Sequence, residues 1–360
     1  MMRIGVVIHG PAVIDSGKAL GVLEIISGMG DVLAILGGTM GKAAVIDAGL
    51  EGQIDISRNL KPSETIVELS SNCDIILLVN EGKSCETGLI FGSMVFGKLD
   101  SILIPLYQIE FGSECVLIPW TGESHSILSE FRDLLKARVI HPPPEINSIK
   151  IDGNTLTRRV SGARPGEYVT VNGIVVGKAL SDEVHIISES GEITGLEGGR
   201  LKHHGIEKLK KIDLPTAIVR SGPLRTANIA PRVLEHSGNY AVLIDHSAED
   251  TFELAKEAGL AVVVGDDTTA NAGELLTRLG IPMIGITDGD KDGITHHTHV
   301  PPGSVIIRVA TGNDDIVGRK VQDEIFGGKG LKKVGDTGFK EILARVIELA
   351  GRMVEEIVQY

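Results

Sequence analysis

Short apolar runs that do not alternate, each stopped within two residues by glycine or a carboxylate, constrain this chain most. Residues 3–9, 31–36, 74–79, 241–244, 261–264 and 281–286 are runs of this kind. A strand with one wet face alternates apolar and polar residues. A continuous run is covered on both faces, as in the parallel sheet of an α/β protein. Residues 101–106, 115–119, 217–219 and 305–309 add further strands. Helical patterns fall between them at 17–29, 62–70, 248–258 and 270–279, with Ser247 as the cap of the third. A helix is also expected after Ser221-Gly222-Pro223, running through Leu234. Strand–helix alternation predicts two Rossmann-like parallel-sheet domains.

Between the two series the pattern changes. His141-Pro142-Pro143-Pro144 is a stiff punctuator, and the runs at 168–171, 174–176, 185–188 and 192–196 are rich in β-formers. Asn172-Gly173 and Ser190-Gly191 suit hairpin turns. The expected organisation is an α/β domain at 1–142, a small β-rich segment at 143–212, a second α/β domain at 213–330 and a C-terminal helix at 331–360. That helix, from 338 to about 358, carries apolar residues at three-to-four spacing, which suits packing across a domain or homodimer formation.

Composition narrows the function. The net charge of −13 argues against a duplex nucleic-acid partner, and 3% aromatics against a base-stacking platform. The three cysteines, Cys73, Cys85 and Cys115, form no CxxC pair and read as reduced thiols. No apolar run reaches the roughly 18–20 residues of a membrane span. The first residues run directly into a strand without a charged leader, so a cytoplasmic protein is expected.

Candidate chemistry sits where strands end, because ligands of open α/β sheets bind beyond the carboxyl ends. Strands of the second series end in Asp245-His246, Asp266-Asp267-Thr268 and Asp288-Gly289-Asp290. Parallel pairing would bring these acids to one edge, where mutual repulsion favours a compensating cation such as Mg²⁺. Asp266, Asp288 and Asp290 are the candidate metal ligands, and Asp245 and Asp288 the candidate catalytic residues. His297 and His299 would share a face of an extended segment that directly follows the acidic loop. In the first series, Gly37-Gly38-Thr39-Met40-Gly41-Lys42 offers glycines, a hydroxyl and a lysine ahead of a helix. Gly37, Gly38, Thr39 and Lys42, with Thr268, are therefore candidates for cradling a phosphate, although a tight turn with a surface lysine explains the first four equally well. Asn80-Glu81-Gly82-Lys83-Ser84 follows a strand as well, and reads best as a helix entry capped by Ser84.

Residues 241–293 resemble the topoisomerase–primase (Toprim) domain, whose last strand ends in Asp-x-Asp-x-x-Gly, matched here by Asp288, Asp290 and Gly293. The resemblance implies that these aspartates hold Mg²⁺ for phosphoryl-transfer or nuclease chemistry. The family's glutamate at an earlier strand end is replaced by Asp245, one carbon shorter. The whole chain, through RIGVVIHGP, VNGIVVGKA, GDDTT and ITDGDKDG, also resembles an uncharacterised archaeal family found mainly in methanogens. That likeness implies an archaeal cytoplasmic setting. The expected function is a Mg²⁺-dependent phosphotransferase or phosphoesterase acting on a small phosphorylated ligand or nucleotide. The alternatives are a non-catalytic ligand sensor and an assembly factor for another protein.

Overall fold

The structure is a computed structural model of the 360-residue chain. It describes all residues except 101, 123–125, 143–148, 173, 210, 223–224, 226–228, 235–236, 246–247, 289–298 and 336. It is a mixed α/β protein that packs as two units. One comprises residues 1–41 and 52–228, the other residues 42–51 and 229–360.

The first unit opens with β1 (Met2–His9), α1 (Ala12–Asp15), α2 (Lys18–Ser27) and β2 (Gly30–Leu36). After residues 42–51, which include α3 (Lys42–Ala48), come β3 (Ile54–Asp55), α4 (Pro62–Ser70), β4 (Ile75–Asn80) and α5 (Cys85–Phe96). β5 (Leu106–Phe111), β6 (Cys115–Thr121), α6 (Ser126–Leu135) and β7 (Arg138–Val139) complete a sheet ordered β3-β2-β1-β4-β5-β6-β7. Its first five strands are parallel, and β6 and β7 run against them. From β1 the chain steps outward to β2 and β3, then returns to β4 on the other side of β1. The strand order therefore reverses between β1 and β4, the kind of position at which open α/β sheets hold ligands.

The strand expected at 101–106 lies instead at β5, Leu106–Phe111. Gln108 and Glu110 are fully buried there, and they broke the apolar run that would have marked it.

The same unit carries a small β-rich part as expected. A sheet ordered β13-β12-β9-β8 contains β8 (Ile149–Asp152), β9 (Thr155–Arg159), β12 (His185–Glu189) and β13 (Glu192–Glu197). A second sheet, β14-β11-β10-β15, contains β10 (Tyr168–Val171), β11 (Ile174–Ala179), β14 (Gly199–Leu201) and β15 (Val219–Ser221). The short α7 (His203–Lys208) precedes β15, and the sheets enclose a core of Val169, Val171, Val176, Val184 and Ile186. Ser190 and Gly191 both have positive φ, 52° and 86°, as a two-residue hairpin of the I′ type requires.

The second unit is a sheet ordered β20-β16-β17-β18-β19-β21. Its parallel centre, β16 (Tyr240–Asp245), β17 (Ala258–Val264), β18 (Met283–Thr287) and β19 (Val305–Val309), follows sequence order without reversal. α9 (Asp266–Leu279), α10 (Asp314–Glu324) and α11 (Gly338–Ala350) pack on it, while β20 (Leu331–Lys333) and β21 (Val354–Gln359) close its edges antiparallel.

Four expectations are corrected by this architecture. The strand expected at 217–219 is β15, two residues further on. The helix expected through Leu234 is absent from residues 229–234. Pro231 lacks a helical donor, and Arg232 ties this stretch to α3 through its Nε on the Ile46 carbonyl at 2.7 Å. The helix expected at 248–258 is three successive turns, a 3₁₀ turn (Ala248–Asp250), α8 (Thr251–Leu254) and another 3₁₀ turn (Ala255–Glu257), because β17 already starts at Ala258. The last helix stops at Ala350, where Gly351 turns to φ 50°, and the remaining residues form β21 on β19. Its buried face, Ile342, Val346 and Ala350, packs into the core of its own unit.

Among the contacts that join residues 42–51 to the same unit is a buried ion pair. Arg278 on α9 holds Asp47 on α3 through Nη2 at 2.7 Å and Nε at 3.0 Å, with both side chains 1% exposed. Arg278 also donates to the Glu274 carboxylate at 2.6 Å.

Candidate functional site

In the first unit, the carboxyl edge between β1 and β4 is built around His9, the last residue of β1. Its Nδ1 lies 2.8 Å from Asn80 Oδ1, at the end of β4. The Asn80 amide nitrogen donates to Glu110 Oε2 at 2.8 Å, so its oxygen must be the acceptor and His9 Nδ1 the donor. Glu110 accepts two more hydrogen bonds, from the Gln108 amide at 2.8 Å and from the Gly82 N–H at 2.6 Å. Three donors converge on it, the arrangement a carboxylate needs. Burial pushes its pKa up, and the donors from Asn80, Gly82 and Gln108 pull against that. Gln108 is fixed in turn by Trp120 Nε1 at 3.1 Å and by donation to the Gly88 carbonyl at 2.9 Å.

Two glycines of α5 make room for this chain of polar groups. A Cβ on Gly88 would stand 2.0 Å from Glu110 Cδ, and one on Gly92 would stand 1.9 Å from Gln108 Oε1. Spaced by four, they lie on one helix face, so β5 presents polar side chains to the helix where a core would present leucines. Ser84 caps α5 by accepting from the Thr87 N–H, and Thr87 Oγ1 accepts from the Ser84 N–H, the helix entry its sequence implied.

The His9 ring stacks on Phe91 at 3.9 Å between centroids. Burial, seconded by the charge of Arg220, holds its pKa down at about 4, while the Asn80 contact pulls the other way. The ring is therefore neutral near pH 7, with its proton on Nδ1 and a lone pair on Nε2. No described residue bonds Nε2.

Arg220 comes from β15, opposite Thr170 of β10. The turn ahead of β15 is held by buried Arg158, which donates to the carbonyls of Leu214 at 2.5 Å and Ala217 at 2.7 Å. Other cations near this edge have carboxylate partners: Lys18 with Glu81 at 2.5 Å, Lys83 with Glu167 at 2.7 Å, and Arg225 with Asp15 at 2.5 Å. Arg220 has none among the described residues; its guanidinium touches the Met40 sulfur. Burial lowers its pKa, without detaching a proton that arginine never gives up near neutrality.

Gly37, Gly38 and Thr39 also end a strand of this unit, after β2. The Gly37 N–H donates to the Ile8 carbonyl at 2.8 Å and the Gly38 N–H to the Leu60 carbonyl at 2.7 Å. Gly37 answers a packing need, since a Cβ there would meet Val7 at 2.7 Å. Lys42 belongs to the second unit and is 1% exposed, not the surface lysine of a turn. Its ammonium lies 4.5 Å from the centre of the Phe252 ring and 3.9 Å from Glu253.

In the second unit, Asp245 ends β16 level with Val264, and Val264 is level with Ile286. Asp266 opens α9 just beyond β17, and Asp288 follows β18. These three acids therefore stand at one edge of one sheet. Asp288 is 3% exposed and accepts from the Gly312 N–H at 2.9 Å. Thr268, 6% exposed, lies in the first turn of α9. Asp290, His296 and His297 lie outside the described residues. Among the described residues, no three His, Cys, Asp or Glu side chains group closely enough to hold a metal ion. His299 bonds Glu274 through Nδ1 at 3.0 Å. Burial would raise the Glu274 pKa, but the His299 bonds and the Arg278 charge outweigh it and lower it.

The network of His9, Gln108, Glu110 and Arg220 was not legible in the sequence. The only local signal was a pair of polar residues, Gln108 and Glu110, spaced by two inside an otherwise apolar stretch. Among the described residues, no helix is long and apolar enough to cross a membrane. No solved structure matches this chain. It is 41% identical over 335 residues, 90% of this chain and 92% of the other, to "Uncharacterized protein MJ0065" of Methanocaldococcus jannaschii. The family model described as "Uncharacterized protein conserved in archaea (DUF2117)" matches residues 6–329, and the chain belongs to that family.

Proposed function

We propose that the first unit binds a small anionic ligand, a phosphorylated metabolite or nucleotide, at the carboxyl ends of β1 and β4. The observation that carries this is Arg220. A half-buried guanidinium with no carboxylate partner among the described residues has lost part of its hydration. An anion would restore what burial removed, and a guanidinium matches phosphate or carboxylate geometry. Binding without turnover needs nothing further, so a ligand sensor satisfies this reading as fully as an enzyme does.

Thermal denaturation with millimolar inorganic phosphate, AMP or glycerol 3-phosphate tests it. At a hundredfold excess over Kd, an anion should stabilise the native state by about 2.7 kcal/mol. Arg220→Gln should lose most of that gain. No shift with any of the three probes removes the reading.

Asp288 supports a second reading, in which the second unit takes Mg²⁺ for phosphoryl-transfer or phosphoester chemistry. A carboxylate 3% exposed at a strand end, level with Asp245 and Asp266, is where a hard cation would relieve repulsion. Mg²⁺ takes few protein carboxylates, so Asp288 with Asp290 would suffice. Millimolar Mg²⁺ should raise Tm, and Asp288→Asn should abolish the rise. An equal rise in Asp288→Asn places the cation elsewhere.

A further inference from the structure

We infer that the ligand held at the carboxyl ends of β1 and β4 carries a hydroxyl beside its anionic group, and that His9 Nε2 accepts the hydrogen bond from it. This rests on the anion-binding reading above and adds the ligand's second functional group.

The inference follows from the orientation imposed on His9. Glu110 accepts from Asn80 Nδ2 at 2.8 Å, which turns the Asn80 oxygen towards His9 Nδ1, also at 2.8 Å. Asn80 cannot flip without turning its oxygen onto the Glu110 carboxylate. The tautomer is therefore fixed, with hydrogen on Nδ1 and a lone pair on Nε2. Stacking on Phe91 at 3.9 Å fixes the ring plane. A depressed pKa of about 4, due first to burial and then to Arg220, keeps the ring from becoming a cation near neutrality.

His9 is thus an acceptor held near a guanidinium, and the two groups ask for different things. Arg220 attracts an oxyanion. A lone pair facing that same oxyanion would repel it, so Nε2 requires a donor. A hydroxyl on the carbon next to the one that carries the phosphate answers both. A histidine that only filled space would not need this support. The support extends through buried Asn80, Gln108 and Glu110 to Gly88 and Gly92, where a Cβ would stand 2.0 and 1.9 Å from the Glu110 and Gln108 side chains. Polar groups buried at such density serve orientation more than packing.

The test compares two phosphates of one skeleton. Propyl phosphate and glycerol 3-phosphate are titrated calorimetrically into the full chain at pH 7.5, and into His9→Phe, which keeps an aromatic ring against Phe91. The unaltered protein should bind glycerol 3-phosphate about tenfold more tightly, the worth of one well-placed hydrogen bond. In His9→Phe that preference should shrink to within about twofold. If His9→Phe does not fold, the ¹⁵N resonance of the unprotonated His9 nitrogen in the unaltered protein decides. It should move with glycerol 3-phosphate and stay in place with propyl phosphate. Equal affinity for the two phosphates overturns the hydroxyl inference and leaves the anion site standing. The same preference in both proteins, or the same ¹⁵N shift with both phosphates, overturns the role of His9. Binding of neither phosphate overturns the inference together with the reading beneath it.

Discussion

The two parallel sheets of this protein end in different ways. In the first unit the strand order reverses between β1 and β4, and a buried chain of polar side chains fixes a neutral histidine at the reversal. In the second unit, β16 to β19 follow one another without reversal, and Asp245, Asp266 and Asp288 stand at the strand ends. Each unit also buries charge, in different places. The first buries Glu110 beneath its carboxyl edge; the second buries Arg278 with Asp47 in its helix layer. Strand order sets where a crevice can open, and the side chains under it set what the crevice can hold.

The largest effect should come from the second unit's buried pair. Asp47→Ala leaves the Arg278 guanidinium, 1% exposed, without its bidentate partner, and should cost about 3–5 kcal/mol in urea denaturation. Replacing both residues by apolar ones should recover a large part of the loss. Equal losses in the single and double variants would mean that the pair does not hold α3 in place.

Next comes the glycine face of α5. Gly88→Ala puts a methyl 2.0 Å from Glu110 Cδ and should destabilise the protein by about 2–3 kcal/mol, through overpacking and a displaced carboxylate. Gly21→Ala on α2, where a Cβ meets nothing within 4 Å, serves as the control and should be neutral or slightly stabilising. Matching losses at the two positions would show that the polar chain under α5 imposes no constraint.

His9 supplies the pH test. Its folded pKa, about 4, lies below the ordinary 6.5, so below pH 6.5 the unfolded chain takes up a proton that the native ring refuses. The His9 contribution is complete above pH 6.5 and is lost as pH falls towards 4, by roughly 2–3 kcal/mol. His9→Phe should flatten that part of the stability–pH curve. A wild-type slope in the variant would assign the acid loss to other groups.

The smallest effect is expected at the surface pair Arg308–Glu356, 2.6 Å apart and about half exposed, which joins β19 to the terminal strand. Glu356→Ala should change stability by no more than about 0.5–1 kcal/mol, and less in high salt. A larger loss would make β21 depend on this pair rather than on its ladder with β19.

Two parallel sheets, a β-rich part between their strand series, the cap at Ser84 and the Ser190-Gly191 turn were legible from residue order, because each is set by local pattern or turn chemistry. The alignment of Asp245, Asp266 and Asp288 at one edge followed too, since parallel strands bring their ends level. The final helix is shorter than its sequence pattern implies because the apolar spacing of residues 354–359 suits a helix or a strand, and the open edge of β19 chose the strand. β5 is hidden in the sequence because Gln108 and Glu110 look like surface residues until α5 covers them with two glycines. Residue order by itself determined the fold class, since hydrophobic periodicity acts over a few neighbours. Only the tertiary structure decided that His9, Asn80, Glu110 and Arg220, spread over more than 200 residues, come together. The determinants are strand order and burial, and both are properties of contacts distant in sequence.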